Sequence, residues 1–221
     1  MSERPGPPPA SPPIASGRAL EQAAAALRAG RPDEAERLAR SVLATDPGHA
    51  LGAQALGHAA LSQGRAAGAI EPMSRAARLS GEPAVEALLA RVLAVAGRTD
   101  EAFAQLRRTV QHRPAFPLAF LELAEQLGRA NRADEAQAVL EQGVALAPQA
   151  LVLQVALANL WLARGERAPA RRLFVRLHAA APDRQDVVAG LARLEALEGR
   201  LAAAADLYRQ ALALRPGDAV T

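Results

Sequence analysis

An all-α solenoid of helix–turn–helix repeats is the fold class this 221-residue sequence predicts, and three observations carry it. An alanine returns as Ala35, Ala69, Ala102, Ala136, Ala170 and Ala204, at spacings of 34, 33, 34, 34 and 34 residues. Five residues before each stands Gly30, Gly64, Gly97, Asn131, Gly165 or Gly199. Each stretch then closes near a helix breaker: Pro47, Gly81, Pro114, Pro148, Pro182 or Pro216. A fixed period of this length marks a stack of identical supersecondary units, each burying its apolar side on its neighbours.

The period divides the chain into six units, 16–49, 50–82, 83–116, 117–150, 151–184 and 185–218, after a leader 1–15 and before a tail 219–221. Each unit opens on apolar residues at helical spacing, as Leu118, Leu121, Leu123 and Leu127 do in the fourth. The glycine or asparagine follows, because those residues take a left-handed conformation cheaply at a helix end. A second helix opens where acids meet its dipole: Asp33 and Glu34, Asp100 and Glu101, Asp134 and Glu135. Proline or glycine then stops it. The second unit departs from this scheme. Pro72 falls inside a helix expected to begin near Ala66, and Gly68 weakens the same stretch, so a kink or a late helix start is predicted there.

Small residues recur eight positions into each unit: Ala23, Gly57, Ala90, Ala124, Ala158 and Ala192. Facing the repeated alanine of the second helix, they let two backbones approach closely. Leu56, Leu89, Leu123, Leu157 and Leu191 on the first helix, with Met73, Leu106, Leu140, Phe174 and Tyr208 on the second, fill the adjoining space.

This succession of large residue, leucine, small residue, glycine turn, acid–alanine pair, large apolar residue and proline resembles the tetratricopeptide repeat. Leu123–Ala124, Glu135–Ala136 and Pro148 carry the resemblance in the fourth unit, Leu157–Ala158, Trp161 and Phe174 in the fifth, and Leu191–Ala192, Tyr208, Ala211 and Pro216 in the sixth. Unit one departs at Gln22, unit two at Gly68 and Gly81. The resemblance implies a right-handed superhelix whose first helices line a concave groove. Nine positions into the units stand Ala24, His58, Arg91, Glu125, Asn159 and Arg193, which such a stack sets in a row up that groove. Arg91 and Asn159 interrupt otherwise apolar helices. Arg91 and Arg193 suit the carboxylates of an acidic peptide, and Asn159 can bond a peptide backbone as donor and acceptor. Leu51, Leu118, Leu121, Val152 and Val155 would add apolar contact. A lysine–asparagine clamp for a terminal carboxylate, known in some members, is not expected, since the chain has no lysine. Nor is an asparagine ladder, because Glu21, Ala55, Leu88, Glu122, Ala156 and Gly190 hold the sixth positions.

Composition excludes several classes of chemistry. There is no cysteine, so disulfides, thiolate catalysis and thiolate metal sites are absent. The four histidines, His49, His58, His112 and His178, form no paired metal-ligating spacing. Without a phosphate-binding loop or a serine beside a base, neither catalysis nor a small-molecule cofactor is expected. Glu122 and Glu125 lie one turn apart, a spacing usual on a solvated face. The sequence pI of about 10.7 suggests nucleic acid, but the net charge is only +3 and all 26 basic residues are arginine, so a small surplus drives the pI upward. With no basic stripe and few aromatics, nucleic-acid binding is not expected. Missing lysine and abundant Ala, Arg, Gly and Pro point to a GC-rich bacterial genome. The leader carries six prolines and reads as disordered. The longest apolar stretch, Leu151 to Ala163, is broken by Gln154 and Asn159 and is too short for a bilayer, so a soluble cytoplasmic protein is expected.

These readings predict a non-enzymatic adaptor that binds a protein or peptide segment in its groove. The alternatives are a targeting or oligomerisation module of a larger enzyme, since similar bacterial arrays are fused to sulfotransferase, glycosyltransferase or hydroxylase domains, and a self-assembling scaffold. The last helix, about Leu201 to Leu214, motivates the scaffold. Its apolar residues, Tyr208 and Leu212 among them, lack the polar outer face of a terminal cap and invite a second copy of the chain. Trp161, on a first helix, is expected to report on groove binding at the fifth unit.

Overall fold

The structure, a computed structural model, describes residues 13–214. The proline-rich leader up to residue 12, the loop at Pro216 to Asp218 and the tail 219–221 lie outside the described residues. Among the described residues there is no strand. The helices are α1 Pro13–Arg28, α2 Pro32–Thr45, α3 Ala50–Ser62, α4 Ile70–Ser80, α5 Pro83–Val95, α6 Thr99–Thr109, α7 Pro117–Arg129, α8 Ala133–Leu146, α9 Leu151–Ala163, α10 Arg167–Ala180, α11 Gln185–Leu197 and α12 Leu201–Ala213. They pair into the six helix–turn–helix repeats of the predicted solenoid. The first helix begins at Pro13, so the last three residues assigned to the leader belong to it.

The turns repeat one geometry. Gly30, Gly64, Gly97, Gly165 and Gly199 adopt φ of 68°, 65°, 80°, 79° and 79°, and Asn131 takes the same role at φ 58°. The residue after each donates its backbone N–H to a carbonyl in the preceding turn, from Arg31 to Ala26 at 2.8 Å, from Arg132 to Leu127 at 2.9 Å and from Glu166 to Trp161 at 2.8 Å. This double-bonded cap satisfies carbonyls that the helix end leaves open. The acids that follow are held by the arginine before their helix, as in Arg98–Glu101 and Arg132–Glu135, each at 2.6 Å.

The chain forms two compact units, Met1–Glu122 and Leu123–Thr221. In the first, α1 packs on α2 and α3, α3 on α4 and α5, and α5 on α6; α2 and α4 each pack on the following first helix. In the second, α9 packs on α8, α10 and α11, and α11 on α10 and α12. Every repeated alanine is 3% exposed or less. The close approaches are tightest at two glycines. A Cβ at Gly57 would stand 2.7 Å from Leu88 Cδ2 and 2.8 Å from Met73 Cε, and one at Gly190 would stand 2.2 Å from the Phe174 ring. Met73, Leu106, Leu140 and Phe174 are buried as expected, but Tyr208 is 41% exposed. Phe174 seats on the next first helix at Gly190; the described residues contain no such helix after α12.

The late start predicted for the second unit is present. Ala66–Ala69 forms a short 3-10 turn, and α4 begins only at Ile70, which places Pro72 in its first turn. Pro72 has no N–H to give the Gly68 carbonyl four residues back. Arg40 of the preceding repeat donates to it instead, from Nη2 at 3.0 Å.

Candidate functional site

On the first-helix side of the first unit, α3, α5 and the start of α7 enclose a cleft of about 240 Å³. His58, Leu88, Arg91, Phe116, Leu118 and Glu122 are among the residues that form it. Arg91 and His58 are therefore brought together, as the row of ninth positions requires. Arg91 donates from Nε and Nη2 to a single oxygen of Glu122, at 2.8 and 2.7 Å. The Glu122 side chain is only 4% exposed, whereas that of Arg91 is 49% exposed. Partial desolvation in the cleft, reinforced by the positive charge of Arg91, holds the His58 imidazole below its usual value of 6.5.

Glu122 corrects the sequence reading, which placed it on a solvated face. It stands at the sixth position of its unit, where Ala55, Leu88, Ala156 and Gly190 stand in units two, three, five and six. Apart from Glu21 in the first unit, no other unit has an acid at this register, and that was the signal that could have found it. The guanidinium of Arg91 is thus partly committed to an internal partner.

In the second unit Arg193 Nη2 donates to Asn159 Oδ1 at 2.6 Å, a bond between residues 34 apart. Two consecutive ninth positions are therefore in contact on the first-helix side. Glu125, in the same row, is exposed and pairs with Arg129 one turn away at 3.5 Å. Leu121 is half-buried. Val155 is not part of the surface. At 6% exposure it sits in a core with Ala158, Leu162, Phe174, Leu177 and Leu191, because the stripe of α9 that includes 155, 158 and 162 faces α10 and α11. Trp161 is also displaced from its expected role. It lines a cleft with Val144 of α8 and with Pro169, Arg172 and Arg176 of α10, on the side opposite Asn159. Two positions along a helix turn a side chain by roughly 200°.

Sequence reasoning missed the second-helix side altogether. There α4, α5 and α6 enclose a larger cleft of about 400 Å³ in the first unit. At one edge Glu86 of α5 accepts from the buried Thr109 hydroxyl at 2.9 Å and lies 3.0 Å from His112 Nε2. At another edge Glu101 is held below the usual carboxylate range by its hydrogen bonds from Arg98. Among the described residues no group of acids and histidines is arranged to hold a metal ion, and no helix is long and apolar enough to cross a membrane.

The arrangement has relatives. The chain is similar to pilF of Pseudomonas aeruginosa, with 20% identity and a TM-score of 0.66 over 93% of this chain and 94% of that one. A thermophilic tetratricopeptide repeat protein of Thermus thermophilus aligns at 19% identity and a TM-score of 0.63, over 81% and 98% of the two chains. The human IFIT1 dimer with PPP-AAAA aligns at 17% identity and a TM-score of 0.61, over 91% of this chain but only 51% of that one. At these identities the likeness is one of fold. No curated protein matches the chain in sequence. Tetratricopeptide repeats generally mediate protein–protein interaction and generally serve as non-enzymatic scaffolds. Tetratricopeptide repeat profiles match residues 26–92 and 155–219, together more than half of the sequence, and with the repeated turns and buried alanines they establish that the chain belongs to the tetratricopeptide repeat family.

Proposed function

We propose that this chain is a non-enzymatic adaptor whose first-helix side holds an extended protein or peptide segment. The observation that carries the reading is the polar side chains that the first helices of each unit present at their ninth positions: His58 beside Arg91 in the first unit, and Arg193 bonded to Asn159 in the second. The Nη1 edge of Arg91 faces away from its bonds to Glu122 and remains for a ligand carboxylate. The Asn159 amide nitrogen remains for a peptide carbonyl, since only its oxygen is used by Arg193. Leu118, 53% exposed, and the half-buried Leu121 supply apolar contact.

The test must separate recognition from folding, because Arg91→Ala alone removes the guanidinium that is bonded to a buried carboxylate. The double change Arg91→Ala/Glu122→Gln removes the guanidinium and its buried partner's charge together. Affinity capture with the native chain, with this variant and with Asn159→Ala should lose the same protein with both variants while circular dichroism is unchanged. Retention of every captured protein by both variants would sink the groove reading.

A second reading has its own observation. Leu201, Tyr208 and Leu212 are 70%, 41% and 57% exposed and recur at 7 and 4 residues, a single apolar stripe along α12. We infer that this stripe supports self-association between copies of the chain. The mass by light scattering is then expected to rise with concentration, and Tyr208→Glu/Leu212→Glu to abolish the rise; a native mass constant over a hundredfold dilution would refute it.

A further inference from the structure

The two clefts on the second-helix side are the same place in the repeat, built twice. A shift of 68 residues carries Glu86, Leu89, Leu93, Glu101, Ala104 and Arg108 of the first onto Gln154, Leu157, Trp161, Pro169, Arg172 and Arg176 of the second. The cleft between α8 and α10, about 350 Å³, has thus exchanged both carboxylates of its counterpart for an amide and a proline. It has also acquired a tryptophan in place of Leu93, and an arginine, Arg172, in place of Ala104. The result is a lining with two cations and no acid.

Its chemistry is fixed from within. Gln154, only 8% exposed, donates from Nε2 to the Pro148 carbonyl at 2.7 Å and accepts from Arg176 Nη2 at 3.4 Å. Arg172 and Arg176 stand one turn apart on α10, and among the described residues neither is paired with a carboxylate. The apolar floor is Leu157 and Leu173, 4% and 7% exposed, beside the partly buried Trp161. Two guanidinium groups over an apolar and aromatic floor match a ligand that is anionic at its rim and apolar in its body. The volume suits a side chain or two rather than a folded partner.

We propose that the α8–α9–α10 cleft is a second peptide-binding site, opposite in face to the groove and selective for an acidic segment with a large apolar residue beside its carboxylates. It does not rest on the groove reading, because none of its lining residues belongs to the ninth-position row.

Trp161 is the sole tryptophan, so its fluorescence reads this cleft directly. The probe is an N-acetylated, C-amidated hexapeptide of alternating glutamate and leucine. A saturable fluorescence change is expected with the native chain. Arg172→Ala/Arg176→Ala should weaken it at least tenfold. So should Arg172→Glu, which disturbs no contact of Gln154 and guards against an effect of altered folding. The glutamine–leucine hexapeptide should fail to bind, and Arg193→Ala in the groove should change the affinity less than twofold. No saturable change, undiminished binding by both arginine variants, or equal affinity for the uncharged peptide would overturn the proposal. A hexameric oligoadenylate that displaces the peptide and binds more tightly would overturn it too, assigning the cleft to nucleic acid.

Discussion

Arg91 illustrates how one residue sets both the stability and the electrostatics of the first-unit cleft. Its two bonds to Glu122 compensate a carboxylate that is almost wholly removed from water. Because the guanidinium itself is half in solvent, the loss on Arg91→Ala is expected to be about 1–2 kcal/mol rather than the larger cost of a fully buried pair. Glu122→Gln in that background should recover part of it, as urea melts will show. His58 feels the same cation. Its lowered pKa means that the unfolded chain takes up a proton more readily than the folded one below about 6.5, the ordinary histidine value. His58 therefore costs no stability above that pH, and the cost develops as pH falls through the ordinary value toward the folded one. Arg91→Ala removes the Coulombic cause and should move the His58 titration upward by NMR; an unmoved titration would leave desolvation as the sole cause. The row of ninth positions was legible in the sequence, and the Asn159–Arg193 bond lies along it. The engagement of Arg91 by Glu122 was not. It depends on which face of α7 turns inward, and one sequence carries that only as an anomaly in the sixth register.

At the scale of the element, α4 shows a defect and its compensation. Pro72 was readable as a helix fault, and the 3-10 turn at Ala66–Ala69 with the late start at Ile70 is its consequence. Arg40 was not readable, since nothing in the sequence says that a side chain 28 residues earlier reaches the orphaned Gly68 carbonyl. The carbonyl has a partner because the neighbouring repeat supplies one. A double-mutant cycle isolates this. Arg40→Ala should cost about 1 kcal/mol in the native background, as a lost side-chain bond to a backbone acceptor does. Part of that arises from the pair with Glu36, at 2.9 Å, and that part will persist. In a Pro72→Ala background the restored N–H can serve Gly68, and the penalty should shrink; an identical penalty in both backgrounds would show that Arg40 contributes only through Glu36.

Across the whole molecule, a repeat array distributes stability between neighbours instead of pooling it in one core. The recurrence of alanine and glycine made the six units and their turns legible in the chain itself. It did not give the division at Glu122–Leu123, nor the clefts between successive second helices, which arise because the intervening first helix is the floor on which both rest. Gly190 offers a way to test how local that stability is. A methyl there would lie 2.2 Å from the Phe174 ring, so α10 and α11 must shift apart or the ring must leave its rotamer. Overpacking of this kind costs about 1–3 kcal/mol. Gly190→Ala should therefore raise amide hydrogen exchange throughout α9 to α12, where the Phe174 core joins the helices, and leave α1 to α3 nearly as protected as before. Equal loss in α1 to α3 would instead mean that the array opens as one cooperative body. In that case a ligand in either unit would report on both, and the α8–α10 cleft and the first-unit cleft would be coupled in energy.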